Sequence, residues 1–123
     1  MVVGIGTDIV AVARIHAALT HPRTGSRFRT KIYTADEVAY CMRRRIPWES
    51  FAARFAAKEA VMKALGQKVP WTDIAVRRHQ DAAPTLQLQQ HAHRCAMALG
   101  VARLHLSLSH TKEYATAYVL FES

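Results

Sequence analysis

The sequence predicts a single compact domain that mixes strands with helices. Three observations carry that prediction. A period-two segment opens the chain, an alanine-rich stretch of helical periodicity closed by a glycine occupies its middle, and two further period-two segments flank a polar turn near its end. At 123 residues, half of them apolar, the chain has enough apolar surface for one small core. That size leaves no room for a second domain or a long linker, and a partner subunit could supply further burial.

Val2 to Val10 reads as a strand. Val3, Ile5, Thr7 and Ile9 share one face, and Gly4, Gly6 and Asp8 share the other. Glycines inside a strand mark close approach by a ligand or another backbone, so Asp8 is expected on a nearly bare face, open to a partner. The alternative is that the glycines serve packing and Asp8 caps the next helix. A short helix near Ala11 to Leu19 and a basic loop follow. Thr34-Ala-Asp-Glu37 then has the form of a capping box and opens a helix through about Arg44. Ile46-Pro47 interrupts it. Trp48 to Leu65 predicts a long helix, with Gly66 placed for a left-handed C-cap. Thr72 to Arg77 and Thr85 to Leu88 read as strands, and Gln89 to Leu99 as a helix stopped by Gly100. Leu104, Leu106 and Leu108 alternate with polar residues, and Ala115 to Phe121 returns as the second arm of a hairpin across His110-Thr-Lys-Glu113.

Seventeen Lys and Arg against nine Asp and Glu give a formal charge of +8. Such a surface attracts nucleic acid, anionic lipid, phosphorylated metabolites or an acidic protein, and charge alone does not choose among them. The basic residues concentrate in Arg23-Thr-Gly-Ser-Arg27-Phe-Arg29-Thr-Lys31 and in Arg43-Arg44-Arg45. Cys41 and Cys95 lack CxxC spacing, so reduced, buried thiols are expected rather than a disulfide or zinc site. The N-terminus has no basic-then-apolar signal, and no apolar run approaches the roughly 18 residues that span a bilayer. A cytoplasmic protein without membrane contact is expected.

On the long helix, about 100° per residue puts Phe51, Phe55, Met62 and Leu65 on one stripe with Lys58 in its middle. Lys58 either snorkels outward along its methylenes or faces a pocket that holds an anion. Glu59 and Lys63 lie one turn apart on one shoulder of the stripe, and Arg54 lies on the other. If Asp8 and Glu59 meet, two carboxylates repel unless a cation joins them. Magnesium takes one or two carboxylates together with substrate phosphate oxygens. With Arg54, Lys58 and Lys63 nearby, such a site suits a pyrophosphate and phosphoryl-group transfer.

Gly4-Ile-Gly-Thr-Asp-Ile-Val10, taken with Arg54-Phe-Ala-Ala-Lys-Glu-Ala-Val-Met-Lys-Ala-Leu-Gly66, closely resembles the paired G-x-D-I-V and F-x-x-K-E-A-x-x-K signatures of the holo-acyl-carrier-protein synthases. These are small members of the 4′-phosphopantetheinyl transferase superfamily. The ending from Leu104 to Ala117 is similar to that family's closing hairpin. The resemblance implies an α+β fold, a small antiparallel sheet packed with a long helix. It also implies transfer of phosphopantetheine from coenzyme A to a serine of an acidic acyl carrier protein or of a carrier domain in a fatty-acid or polyketide synthase. By position, Asp8 and Glu59 match the magnesium ligands, and with Lys63 they form the catalytic set. Arg54, Lys58 and Lys63 match cations around the coenzyme A phosphates. His110, Arg44 and Arg45 match groups near the adenosine 3′-phosphate. Arg14 matches a carrier-protein contact, which Arg23 and Arg27 join. A homotrimer with sites between neighbouring subunits is implied as well. Two departures stand out. Ala11 occupies a position where the family commonly has glutamate, so Asp8 and Glu59 have to suffice. Ala82-Ala83-Pro84 replaces a G-K/R-P turn, which makes Arg77 or Arg78 the candidate to supply the lost cation.

Other readings are weaker. Gly4-x-Gly6 lacks the third glycine of a dinucleotide fingerprint, where Ile9 stands. His91-x-His93 lies in a predicted helix, where i,i+2 side chains point apart. Ser107 and Ser109, near His105 and His110, lack a nucleophile turn. A nucleic-acid module with Trp48 and Trp71 as stacking groups would leave Asp8, Lys58 and Glu59 without a role.

Overall fold

In the computed structural model, which describes residues 1–79 and 82–123, the first strand already shows why the chain needs its two early glycines. β1 (Val2–Ala11) lies directly on α4 (Pro47–Leu65). A Cβ on Gly4 would collide with the carbonyl oxygen of Ala64, and one on Gly6 with that of Ala60. Glycine on the strand against alanine on the helix lets the two backbones touch. The bare face is therefore a helix seat rather than an opening for a partner. Asp8, the next inward residue, is left only at its margin. It does not cap α1 (Val12–Thr20), whose N-cap is Ala11 with no side-chain bond.

β5 (Tyr114–Glu122) runs antiparallel between β1 and β4 (Arg103–His110), giving the strand order β1-β5-β4. Ala115, Ala117, Val119 and Phe121 point inward and are fully buried against α4. The opposite face has no covering layer among the described residues: Ile5 is 69%, Ile9 63% and Tyr118 60% exposed. β2 (Ile74–Arg77) and β3 (Thr85–Leu88) form a separate antiparallel pair beyond a 3₁₀ turn at Trp71–Asp73, and α5 (Gln90–Ala98) follows.

α4 is buried on nearly every side. A helix apolar all round belongs in a core. Its alanines meet the sheet while Phe51 and Phe55 meet the other helices, so the single stripe read from sequence is half of a fully buried helix. Pro47 starts it and Gly66, at φ 76°, ends it. The basic segment expected as a loop instead contains α2 (Gly25–Ile32). It packs so tightly that a Cβ on Gly25 would strike the Leu19 carbonyl oxygen, and Phe28 stacks on Phe55. α3 (Ala35–Met42) begins with the predicted capping box but stops before Arg44.

Lys58 departs from both of its sequence readings. Its ammonium is fully buried and donates to the Ile32 carbonyl at 2.7 Å, to Glu37 Oε1 at 2.7 Å and to the Trp71 carbonyl at 3.2 Å. The anion it faces is thus Glu37, whose Oε1 also accepts from the Thr34 amide and whose Oε2 accepts from the Val76 amide. Burial pulls Lys58 below the ordinary lysine range, and the Glu37 charge and hydrogen bond oppose that pull. Both cysteines are free and buried. No helix among the described residues is long and apolar enough to cross a membrane.

Removing one member of a buried ion pair strands the other. Lys58→Met and Glu37→Gln are each expected to destabilise the protein by about 3–5 kcal/mol. Urea unfolding of the double variant should lie well short of the sum of the two, and simple additivity would show that the pair is not coupled. Burial also pushes the Cys41 thiol from about 9 up to about 12, against the pull of Arg54. Since the folded state holds the proton more tightly, this thiol's contribution to stability is complete below pH 9 and is lost as pH rises through about 12. In a Cys95→Ala background, thiolate absorbance should therefore appear near pH 12 when folded and near 9 in denaturant; coincident titrations would contradict this.

Candidate active site

Two groups of functional side chains flank α4. The first is acidic. β1 runs antiparallel to the helix, with Gly4 under Ala64 and Gly6 under Ala60. The next inward position, Asp8, therefore comes beside the turn that carries Glu59. Helical side chains lean toward the N-terminus, and Lys63 reaches back in that way to place Nζ 2.9 Å from the Thr7 carbonyl and 3.2 Å from Asp8 Oδ1. Glu59 is half-buried and has no side-chain hydrogen bond or ion pair among the described residues. Asp8, paired with the half-exposed Lys63, and Glu59, one turn before Lys63 on α4, offer hard oxygens of the kind a magnesium ion takes with substrate phosphates.

The second group is cationic and lines a cleft of about 200 Å³ at the other edge of the sheet. Arg54, Arg44, Arg78 and His110 border it with Tyr40, Ser50, Pro84 and Leu108. Arg54 is only 4% exposed, its guanidinium lies 4.3 Å from the centre of the Tyr40 ring, and its buried Nε has no hydrogen-bond partner among the described residues. Arg44 approaches the same ring at 5.6 Å. The ring attracts both guanidiniums. Arg78 Nε is steadied by the Ala82 carbonyl at 3.1 Å, which brings this arginine, rather than Arg77, beside Pro84. An adjoining cavity is lined by Arg44, Arg45, Glu49, Ser50 and His110, and there His110 Nδ1 lies 2.9 Å from Glu49 Oε1.

The structure thus brings Arg44, Arg45, Arg54 and His110 together, and Asp8 and Lys63 together with Glu59 one turn away on α4, but not the two groups around one point. Arg54 and Lys63 are nine residues apart on α4, about 180° around the helix and about 13 Å along it. Lys58 leaves the phosphate-binding set, because its three donors are used inside the core. Arg14, Arg23 and Arg27 are exposed around α1 and α2, and Arg14 also lies over the Phe55 ring at 5.8 Å. Trp48 and Trp71 are stacked on His16 and Phe55, so neither offers a free platform to a base. Sequence reasoning missed Tyr40 and Glu49. Tyr40 stands four residues before Arg44, a helical spacing that could have flagged that contact, whereas nothing local links it to Arg54 or Glu49 to His110.

A family model for the 4′-phosphopantetheinyl transferase superfamily matches residues 4–119. A holo-[acyl-carrier-protein] synthase of Koribacter versatilis is 45% identical over 126 aligned positions covering 99% of each chain. The crystal structure of the Neisseria meningitidis holo-[acyl-carrier-protein] synthase superposes with a TM-score of 0.86 at 28% identity, covering all of both chains. The Bacillus anthracis synthase, solved in complex with CoA (3′,5′-ADP), gives 0.80 at 35% identity, covering 100% of this chain and 98% of its own. The signatures, the fold and these full-length similarities agree: the chain belongs to the 4′-phosphopantetheinyl transferase superfamily, among the holo-[acyl-carrier-protein] synthases.

Proposed function

We propose that this protein moves the 4′-phosphopantetheine group of coenzyme A onto a serine of an acidic apo acyl carrier protein or carrier domain, with Mg²⁺ and with release of adenosine 3′,5′-bisphosphate. It acts in the cytoplasm as a homotrimer whose sites lie between neighbouring subunits, in the service of fatty-acid or related lipid synthesis. The observation that carries this reading is the pair of half-sites on opposite sides of α4. Neither half alone can surround a pyrophosphate, and a neighbour's cationic cleft placed against the Asp8 edge completes one. The uncovered sheet face supports the same assembly, because Ile5, Ile9 and Tyr118 form an apolar surface of the kind that subunit contact buries.

In this reading Asp8 and Glu59 hold the metal, which when bound polarises the pyrophosphate and offsets its charge. Arg54, Arg44 and Arg78 neutralise charge on the departing bisphosphate, and His110 with Arg45 receives its 3′-phosphate. Lys63 exchanges its hold on Asp8 for a phosphate oxygen. The carrier serine oxygen forms a bond to the β-phosphorus as the bond from that phosphorus to the pyrophosphate bridging oxygen breaks. The serine proton passes to Asp8 or to water. Arg14, Arg23 and Arg27 present positive charge to the carrier and raise the encounter rate.

Incubation of an apo carrier protein with coenzyme A and Mg²⁺ should add about 340 Da per carrier, and EDTA, Asp8→Ala or Glu59→Ala should abolish the gain. No gain with several carriers would sink the proposal. The shared site has its own test. Asp8→Ala and Arg54→Ala chains, each inactive alone, should regain about a quarter of wild-type activity when refolded together, since half of the acidic edges meet half of the intact clefts. Mixed oligomers that stay inactive would place the whole site within one subunit.

A further inference from the structure

His110 borders the cationic cleft beside three arginines, and one of its ring nitrogens is already committed. Nδ1 lies 2.9 Å from Glu49 Oε1. An ionised carboxylate only accepts hydrogen bonds, so Nδ1 carries the hydrogen and Nε2 is the ring nitrogen left for a ligand. Glu49 is well placed to hold it. It stands in the first turn of α4, behind Pro47, on the long buried helix, and its side chain is 13% exposed against 48% for His110. An acidic side chain that borders a cavity with Arg44 and Arg45 would otherwise repel the anion those arginines attract.

We propose that Glu49 is a positioning residue for coenzyme A recognition: by accepting the Nδ1 hydrogen it fixes the ring and tautomer of His110, so that Nε2 is the nitrogen that meets the 3′-phosphate. This rests on the reading of His110 given above. The carboxylate, imidazole and phosphate form a row, and the negative charge of Glu49 acts on the phosphate through the histidine. A carboxylate behind a histidine is a common way to orient the ring and raise its basicity. The same carboxylate also suits the positive end of the helix dipole, and the experiment separates that structural role from the proposed one.

The readout is the ratio of kcat/KM for coenzyme A to that for 3′-dephospho-coenzyme A, which cancels losses of folding or of carrier binding. Glu49→Ala should lower this ratio roughly tenfold, the scale of a charge-assisted hydrogen bond, Glu49→Gln should fall between Glu49→Ala and wild type because its amide oxygen still accepts from Nδ1 but carries no charge, and His110→Ala should lower it at least as far as Glu49→Ala. Adding Glu49→Ala to His110→Ala should lower it no further. A ratio that stays at the wild-type value or rises in Glu49→Ala, while falling in His110→Ala, would overturn the role of Glu49 alone. A ratio unchanged in His110→Ala would overturn the 3′-phosphate reading itself. Imidazole nitrogen NMR of the free protein adds a test without substrate: the Nδ1–H signal of His110 should persist in Glu49→Gln and give way to exchange between tautomers in Glu49→Ala, and an unchanged signal in Glu49→Ala would contradict the inference.

Discussion

The arrangement of this molecule depends on one buried ion pair. Lys58 sits in the centre of α4 with no exposed surface, and its three ammonium hydrogens go to the end of α2 at Ile32, to Glu37 in the first turn of α3 and to the 3₁₀ turn at Trp71. Glu37 in turn caps its own helix and accepts from the backbone of β2. A charge buried this deeply is tolerated only when every donor and acceptor is met, and meeting them fixes four segments relative to α4. Tyr40 on α3 and Arg78 just beyond β2 are two of the elements fixed in this way. The geometry of the cationic cleft is therefore a consequence of a pair that never touches it.

The second constraint is the contact between β1 and α4. Glycine on one side and alanine on the other remove the side-chain layer that normally holds a helix about 10 Å from a sheet. Without that close approach Asp8 would not lie within reach of Lys63. The strand's larger residues are left on the outer face, which is why an apolar surface stays open. A sheet of this size with one alanine-lined inner face buries modest area, and a neighbouring subunit would add what one chain lacks.

Much of this was legible in the sequence, and the gaps have physical causes. Period two along Val2 to Val10 placed Asp8 and the glycines on one face, and helical period placed Glu59 and Lys63 on one shoulder, because both patterns are local. The capping box at Thr34 was legible for the same reason. Its other half was not: Glu37 meets Lys58 across 21 positions, and no periodicity connects them. α2 was missed since it has no side-chain cap and few apolar residues. Gly25, Phe28 and the Leu19 carbonyl make it a helix through tertiary contact. Lys58 was misassigned because its position in an apolar stripe says that it must meet an anion and does not say which one.

The cleft carries an imbalance that the fold does not relieve. Arg44, Arg54, Arg78 and His110 surround one small volume, and among the described residues Glu49 is the carboxylate that lines the adjoining cavity. Arg54 is nearly buried, its Nε donor is unmet among the described residues, and the face of Tyr40 and a 3.4 Å bond from Nη1 to the Ser50 carbonyl are what offset its charge there. A core optimised for stability would give that guanidinium a carboxylate. In the proposed function, leaving it without a carboxylate keeps oriented donors in place for an incoming phosphate, which would lose little free energy to reorganisation. The interactions withheld from folding are then the ones an anion completes. That division explains why the buried charge of Lys58 is fully paired while the buried charge of Arg54, four residues earlier on the same helix, is not: the first holds the scaffold, and the second is held by it.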